Sequence, residues 1–141
     1  MAKKRLRIIL DTNVLYAGLY SSEGASFKIL EAIEEGKLQT VLSITLLFEY
    51  EDILKRNQTT LGLSNHEIEK ILDYLCLRSD HQKVYFLWRP YLSDPNDDHL
   101  LELAVASGAR LIVTYNTKDF KGLERFNVKT ITPKELLEEL S

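Results

Sequence analysis

The sequence predicts an α/β fold: a three-layer sandwich in which a central parallel sheet of four to five strands is covered by helices on both faces. Two observations carry this expectation. Apolar runs of strand length alternate with stretches of helical period along the chain, the order that builds parallel βαβ units. The runs themselves, such as Leu6-Arg7-Ile8-Ile9-Leu10 and Leu111-Ile112-Val113, read as short buried strands. A length of 141 residues suits one domain, residues 1–141, with a real core. No repeat, low-complexity tract or interdomain linker divides it.

Taken in order, Leu6 to Leu10 is the first strand. Thr12 to Leu19 starts a helix, and Tyr20-Ser21-Ser22-Glu23-Gly24 breaks it. Ala25 to Glu35 forms the next, with Phe27, Leu30 and Ile33 at helical spacing and Gly36 as its C-cap. Leu38 to Ser43 is a second strand. Thr45 to Arg56 is a helix that gathers Leu46, Tyr50, Ile53 and Leu54 on one face. Ser64-Asn65-His66-Glu67 has the form of a capping box, and the helix it opens carries Ile68, Ile71, Leu72 and Leu75 as a stripe. The long helical stretch from Thr45 to Leu77 is expected to project on one side of the sheet. Val84 to Trp88, aromatic and β-branched, reads as a strand, and Pro90 to Pro95 as a loop. Asn96 to Ser107 is a helix closed by Gly108; Arg110 to Thr114 and Val128 to Ile131 are strands. Thr132-Pro133-Lys134-Glu135 joins an N-cap, a proline at the first helical position and a second capping box. Leu136, Leu137 and Leu140 give the closing helix its apolar face.

Composition narrows the class. Hydrophobic residues at 45% and charged residues at 28% describe an ordinary globule rather than a disordered chain. No apolar run is long enough to span a bilayer. The basic start, Met1-Ala2-Lys3-Lys4-Arg5, is followed by an apolar run that Asp11 cuts too short for a signal-peptide core, so a cytoplasmic protein is expected. Cys76 is the single cysteine, which excludes an internal disulfide and a cysteine zinc cage. The formal charge of −3 does not exclude a nucleic-acid partner. Setting aside four acids singled out below leaves 17 acidic residues against 18 basic ones. Lys55, Arg56, Arg89, Lys118 and Lys121 are candidate local contacts.

Four acids stand out. Asp11 directly follows the first strand core, at the carboxyl end where open parallel sheets place their ligand crevice. Glu49 lies mid-helix beside the stripe of Leu46, Tyr50 and Ile53, whereas Glu51 and Asp52 fall farther toward solvent. Asp97 and Asp98 open the helix after Pro95, and wheel position does not separate them. Asp119 lies in the loop after a late buried strand. Each has an ordinary reading alone: a cap, a boundary glutamate, a first-turn acid favoured by the helix dipole, a loop acid. Together they could converge on one crevice. Crowded carboxylates repel one another and stay ionised most easily around a hard cation, Mg²⁺ or Mn²⁺. Thr12, Asn13, Thr114, Asn116 and Asp97 are candidates to hold the acids in place or to meet substrate. His66, His81 and His99 show no metal-ligand spacing; His99, next to Asp98, has the one claim to the site's edge.

In this order the motifs resemble the PIN-domain family of metal-dependent nucleases. Ile8-Ile9-Leu10-Asp11-Thr12-Asn13-Val14-Leu15 is similar to its opening strand and first acid, and Phe48-Glu49-Tyr50 to its helical glutamate. Asp94-Pro95-Asn96-Asp97-Asp98, with Leu103-Ala104 and Gly108-Ala109, resembles its third motif, and Thr114-Tyr115-Asn116-Thr117-Lys118-Asp119-Phe120 its fourth. The nearest subgroup is that of the VapC-type toxin ribonucleases. The resemblance implies a Rossmann-like topology and an endoribonuclease that uses Mg²⁺ or Mn²⁺. It further implies the toxin role of a toxin–antitoxin system, an RNA substrate, an antitoxin partner and a homodimer. It implies catalytic acids at Asp11, Glu49, Asp98 and Asp119, distance from the last motif favouring Asp98 over Asp97. Asp11 and Asp119 would hold one ion and Asp98 a second, with Glu49 acting through water. Family members commonly carry another aspartate near Asn116, so the number of ions, one or two, stays open. Two rivals remain: a catalytically weak RNA-binding module of the same fold, and a Mg²⁺-binding phospho-acceptor receiver. The receiver lacks its expected acidic pair after the first strand.

Overall fold

A computed structural model describes residues 5–84 and 97–141 of the chain. Among the described residues five strands form one parallel sheet. β1 (Leu6–Leu10) lies at its centre, between β2 (Leu38–Leu42) and β4 (Leu111–Val113). β3 (Asp80–His81) extends the β2 edge and β5 (Lys129–Ile131) the β4 edge, giving the order β3-β2-β1-β4-β5. Ile8, Ile9 and Leu10 are fully buried. Since successive strand residues point to opposite faces, burial of all three means that both faces of the sheet are covered.

The covering helices follow from local chemistry. α1 (Thr12–Tyr20) and α2 (Ala25–Glu34) join β1 to β2. α3 (Ile44–Arg56), α4 (Gln58–Leu61) and α5 (Asn65–Arg78) join β2 to β3. α6 (Asp98–Ser107) precedes β4, and α7 (Pro133–Leu140) follows β5. Both capping boxes form: Ser64 and Glu67 bond reciprocally at the start of α5, as do Thr132 and Glu135 at α7. Gly108 ends α6 at a φ of 77°, a left-handed conformation that glycine enters without strain. Gly18 serves closeness instead. A Cβ there would lie 2.6 Å from Leu30 Cδ1, so its hydrogen lets α1 and α2 pack. No helix among the described residues is long and apolar enough to cross a membrane.

Several details differ from expectation. Ser43 caps α3 rather than ending β2: its hydroxyl accepts from Leu46 N at 3.1 Å. The strand expected over Val84 to Trp88 is not seen at Val84, and the rest of it, like the Pro90 to Pro95 loop, lies outside the described residues. Among the described residues the sheet is extended past β2 by β3, whose two exposed polar residues are recruited by pairing with Val41 and Leu42. The stretch expected to project lies close in: α5 packs against α3 and β2 and buries Ile68, Leu72 and Leu75.

Strand order reverses direction between β1 and β4. There the two carboxyl ends lie side by side, with Leu10 opposite Val113. Asp11 N donates to Val113 O at 3.0 Å, which continues the ladder one step beyond β1.

Candidate active site at the sheet switch point

Asp11 sits where the two diverging halves of the sheet meet, the position at which doubly wound folds open their crevice. Its side chain is 4% exposed and caps α1 by accepting from Thr12 N at 2.7 Å on Oδ1. The other oxygen, Oδ2, accepts from Thr114 Oγ1 at 2.8 Å. The single Thr114 proton is thereby spent on Asp11. Its lone pairs take Asn116 N at 3.0 Å and Asn13 Nδ2 at 3.4 Å, so every site of this hydroxyl is used. Burial raises the Asp11 carboxyl above the ordinary aspartate value, and the nearby Glu49 charge adds to this; the Thr114 and Thr12 bonds pull the other way.

Glu49 joins the same network from α3. Thr12 Oγ1 donates to Glu49 Oε1 at 2.9 Å and lies 3.4 Å from Asp11 Oδ1, so one hydroxyl links the two acids. The other Glu49 oxygen, Oε2, lies 2.5 Å from His99 Nε2 on α6. Burial works to raise the Glu49 carboxyl. The hydrogen bond and charge of His99, with the Thr12 bond, outweigh it and hold the group below the ordinary glutamate value. Beneath them Tyr50 Oη donates to Leu10 O, tying α3 to the strand end. A groove of about 430 Å³ opens on this network, lined by Thr12, Thr45, Glu49, Asp52, Ile53, Arg56 and His99.

The structure thus brings Asp11, Thr12, Asn13, Glu49, Thr114 and Asn116 into one hydrogen-bonded system. Asp98 is 1% exposed in the first turn of α6, one residue before His99, and Asp97 is the half-buried residue ahead of that helix. Asp119 ends a single 3-10 turn, Thr117–Asp119, half-buried; its backbone N donates to Asn116 O at 3.0 Å, and its carboxylate bonds to nothing among the described residues. Among the described residues no three acidic, histidine or cysteine side chains gather closely enough to hold a metal together. Arg56, one of the candidate RNA contacts, is turned onto Asp52 one helical turn away, and Lys55 onto Glu51. Arg89 lies outside the described residues.

The sequence model of the PIN domain matches residues 7–118, most of the chain. The chain belongs to the PIN-domain family. The match begins in β1 and stops one residue short of Asp119, so it spans Asp11, Glu49, Asp97 and Asp98. Among solved structures, this PIN domain is similar to a chain of the VapBC2 complex from Rickettsia felis, solved bound to a DNA fragment from their promoter. The two share 16% identity and a TM-score of 0.59, over 89% of this chain and 98% of the other, a likeness of fold. No curated protein matches the chain.

A divalent cation suits what this PIN domain presents. Asp11 is a buried carboxylate that no lysine or arginine pairs with among the described residues, and a second carboxylate lies beyond one shared hydroxyl. Buried anions require a compensating charge, and the donors here are all oxygens, the set that Mg²⁺ and Mn²⁺ prefer. Sequence reasoning leaves His99 at the site's edge. The structure makes it the nearest polar neighbour of Glu49, and the only signal in the chain is its place directly after Asp98.

Proposed function

We propose that this PIN domain is a Mg²⁺- or Mn²⁺-dependent endoribonuclease, the toxin member of a toxin–antitoxin pair. The observation that carries the reading is Asp11 at the switch point, buried, paired with no lysine or arginine among the described residues, and joined to Glu49 through Thr12. Asp11 and Glu49 would hold the ion, with Asp98 and Asp119 as the further acids of the site. When bound, such an ion supplies charge neutralisation at the scissile phosphate and a more acidic attacking water. The chain's own residues do the rest. Thr114 and the Thr12 amide lock the Asp11 carboxylate, so its lone pairs keep one direction. Glu49, held below its ordinary pKa, stays ionised at neutral pH and offers the groove an acceptor that orients water in line with the phosphate. The groove along α3 receives the RNA strand. The antitoxin partner is proposed from the likeness to the VapBC2 chain.

The test is cleavage of a single-stranded RNA with Mn²⁺ present and after chelation. Wild-type protein is expected to cut only with the ion, and Asp11→Asn to lose cutting while its circular dichroism stays native. Retained cleavage in either condition overturns the reading. The separation of Asp119 from the network among the described residues favours one alternative, an RNA-binding module with little turnover. RNA bound tightly by the wild type in Mn²⁺ without any product would establish that alternative instead.

A further inference from the structure

We infer that His99 is a positioning residue of this site, its ring holding the Glu49 carboxylate toward the groove while Thr12 holds the other oxygen. The inference rests on the nuclease reading and adds to it a member of the working set outside the four acids.

Glu49 is a long side chain, 32% exposed, on the wall of an open groove. Unrestrained, such a chain samples several rotamers. Here each of its oxygens is fixed by a different element: Oε1 by Thr12 of α1, Oε2 by His99 of α6. Two bonds on two oxygens stop rotation about the terminal bond and fix where the free lone pairs point. His99 is the firmer of the two anchors. Its side chain is 7% exposed and sits in the first turn of α6, followed by the fully buried Leu100 and Leu101. An ionised carboxylate only accepts, so Nε2 carries the hydrogen of this bond. Among the described residues Nδ1 has no partner. A histidine kept for core structure alone would be expected to use both nitrogens. This one, within the described residues, spends its polar chemistry on Glu49. Groups behind a metal-binding carboxylate set its aim, and their loss costs affinity or activity on the order of 10–100-fold.

The experiment uses the full chain with His99→Leu, His99→Met and His99→Gln, each checked by thermal melting. Mn²⁺ binding to the metal-free protein is read by electron paramagnetic resonance, beside kcat and KM for RNA cleavage. The two apolar variants are expected to bind Mn²⁺ about 10-fold or more weakly and to lose kcat by a similar factor, with KM for RNA nearly unchanged. His99→Gln, which retains an N–H donor, recovers most of both. In a Glu49→Gln background His99→Leu adds no further loss. Met adapts to irregular cores, so it serves where Leu unfolds the protein. The inference is overturned if a folded apolar variant binds Mn²⁺ and cleaves as wild type does. It is equally overturned if His99→Gln is as impaired as the apolar variants, or if the loss persists in the Glu49→Gln background. A wild type that neither binds Mn²⁺ nor cleaves refutes the nuclease reading itself and takes this role down with it; a cleaving wild type with an indifferent His99 refutes this role alone.

Discussion

Thr114→Val removes the hydroxyl at the centre of the network, and with it the proton that Asp11 accepts. Valine replaces the hydroxyl by a methyl of similar size at a fully buried position, so no cavity opens. What is lost is the 2.8 Å bond to Asp11 Oδ2. A hydrogen bond to a charged group contributes about 1.5–3 kcal/mol. The Asn116 amide and the Asn13 Nδ2 group lose an acceptor too, but neither residue is buried and both can turn to water. The loss at neutral pH is therefore about 2 kcal/mol. A chain of 141 residues unfolds with an entropy near ~0.3 kcal/mol per kelvin, which makes this a fall in Tm of about 7 °C. The pH dependence fixes the cause. The Thr114 bond favours ionised Asp11 and is the largest influence lowering a carboxyl that burial has raised. Its stabilising effect is present above the folded-state pKa and fades as pH falls through it. Urea denaturation of both proteins at pH 7 and near pH 4 should show the difference shrinking in acid. A difference that is absent at pH 7, or the same at both pH values, refutes the claim that Thr114 acts through the Asp11 charge.

Other perturbations probe separate parts. Tyr50→Phe deletes the donor to Leu10 O from a fully buried ring and should cost about 1–3 kcal/mol, read as a drop in urea midpoint; an unchanged midpoint would show that the α3–β1 tie is idle. Asparagine at Asp98, Asp97 and Asp119, one at a time, should weaken Mn²⁺ binding at Asp98 and Asp119 and leave it near wild type at Asp97; the reverse order of Asp97 and Asp98 would reassign the third acid. Gly18→Ala sets a methyl against Leu30 and should cost a net ~1 kcal/mol despite alanine's better helix propensity, with a Leu30→Ala partner relieving the clash; a raised Tm would deny the close approach.

What the sequence reveals depends on how far apart the partners are. The caps at Ser64 and Thr132 and the stop at Gly108 are legible because each is completed within a few residues of itself. The strands β1 and β4 are legible because their cores are apolar in consecutive positions. β3 is not: Asp80 and His81 are exposed and polar, and only a ladder with Val41 and Leu42, some 40 residues earlier, makes them a strand. Ser43 reads as strand by its apolar neighbours, but its hydroxyl caps the next helix. The site divides in the same way. Wheel position sets Glu49 beside the stripe of α3, but it does not name His99, 50 residues on, as the group that meets it. The motif order points to four acids together; two of them, Asp11 and Glu49, are linked through the Thr12 hydroxyl, which carries no charge signal for a reader to follow.

The pairing of β1 with β4 has a consequence for when the surroundings of Asp11 are assembled. Asp11 is made well before the hydroxyl that steadies it, which arrives 103 positions later. Until Leu111–Val113 has emerged and docked, β1 has a neighbour on one side only. Long-range parallel pairing is slow to form because the intervening chain must first be ordered. A nascent polypeptide lacking β4 therefore carries Asp11 without its Thr114 partner, and synthesis itself times the locking of the carboxylate.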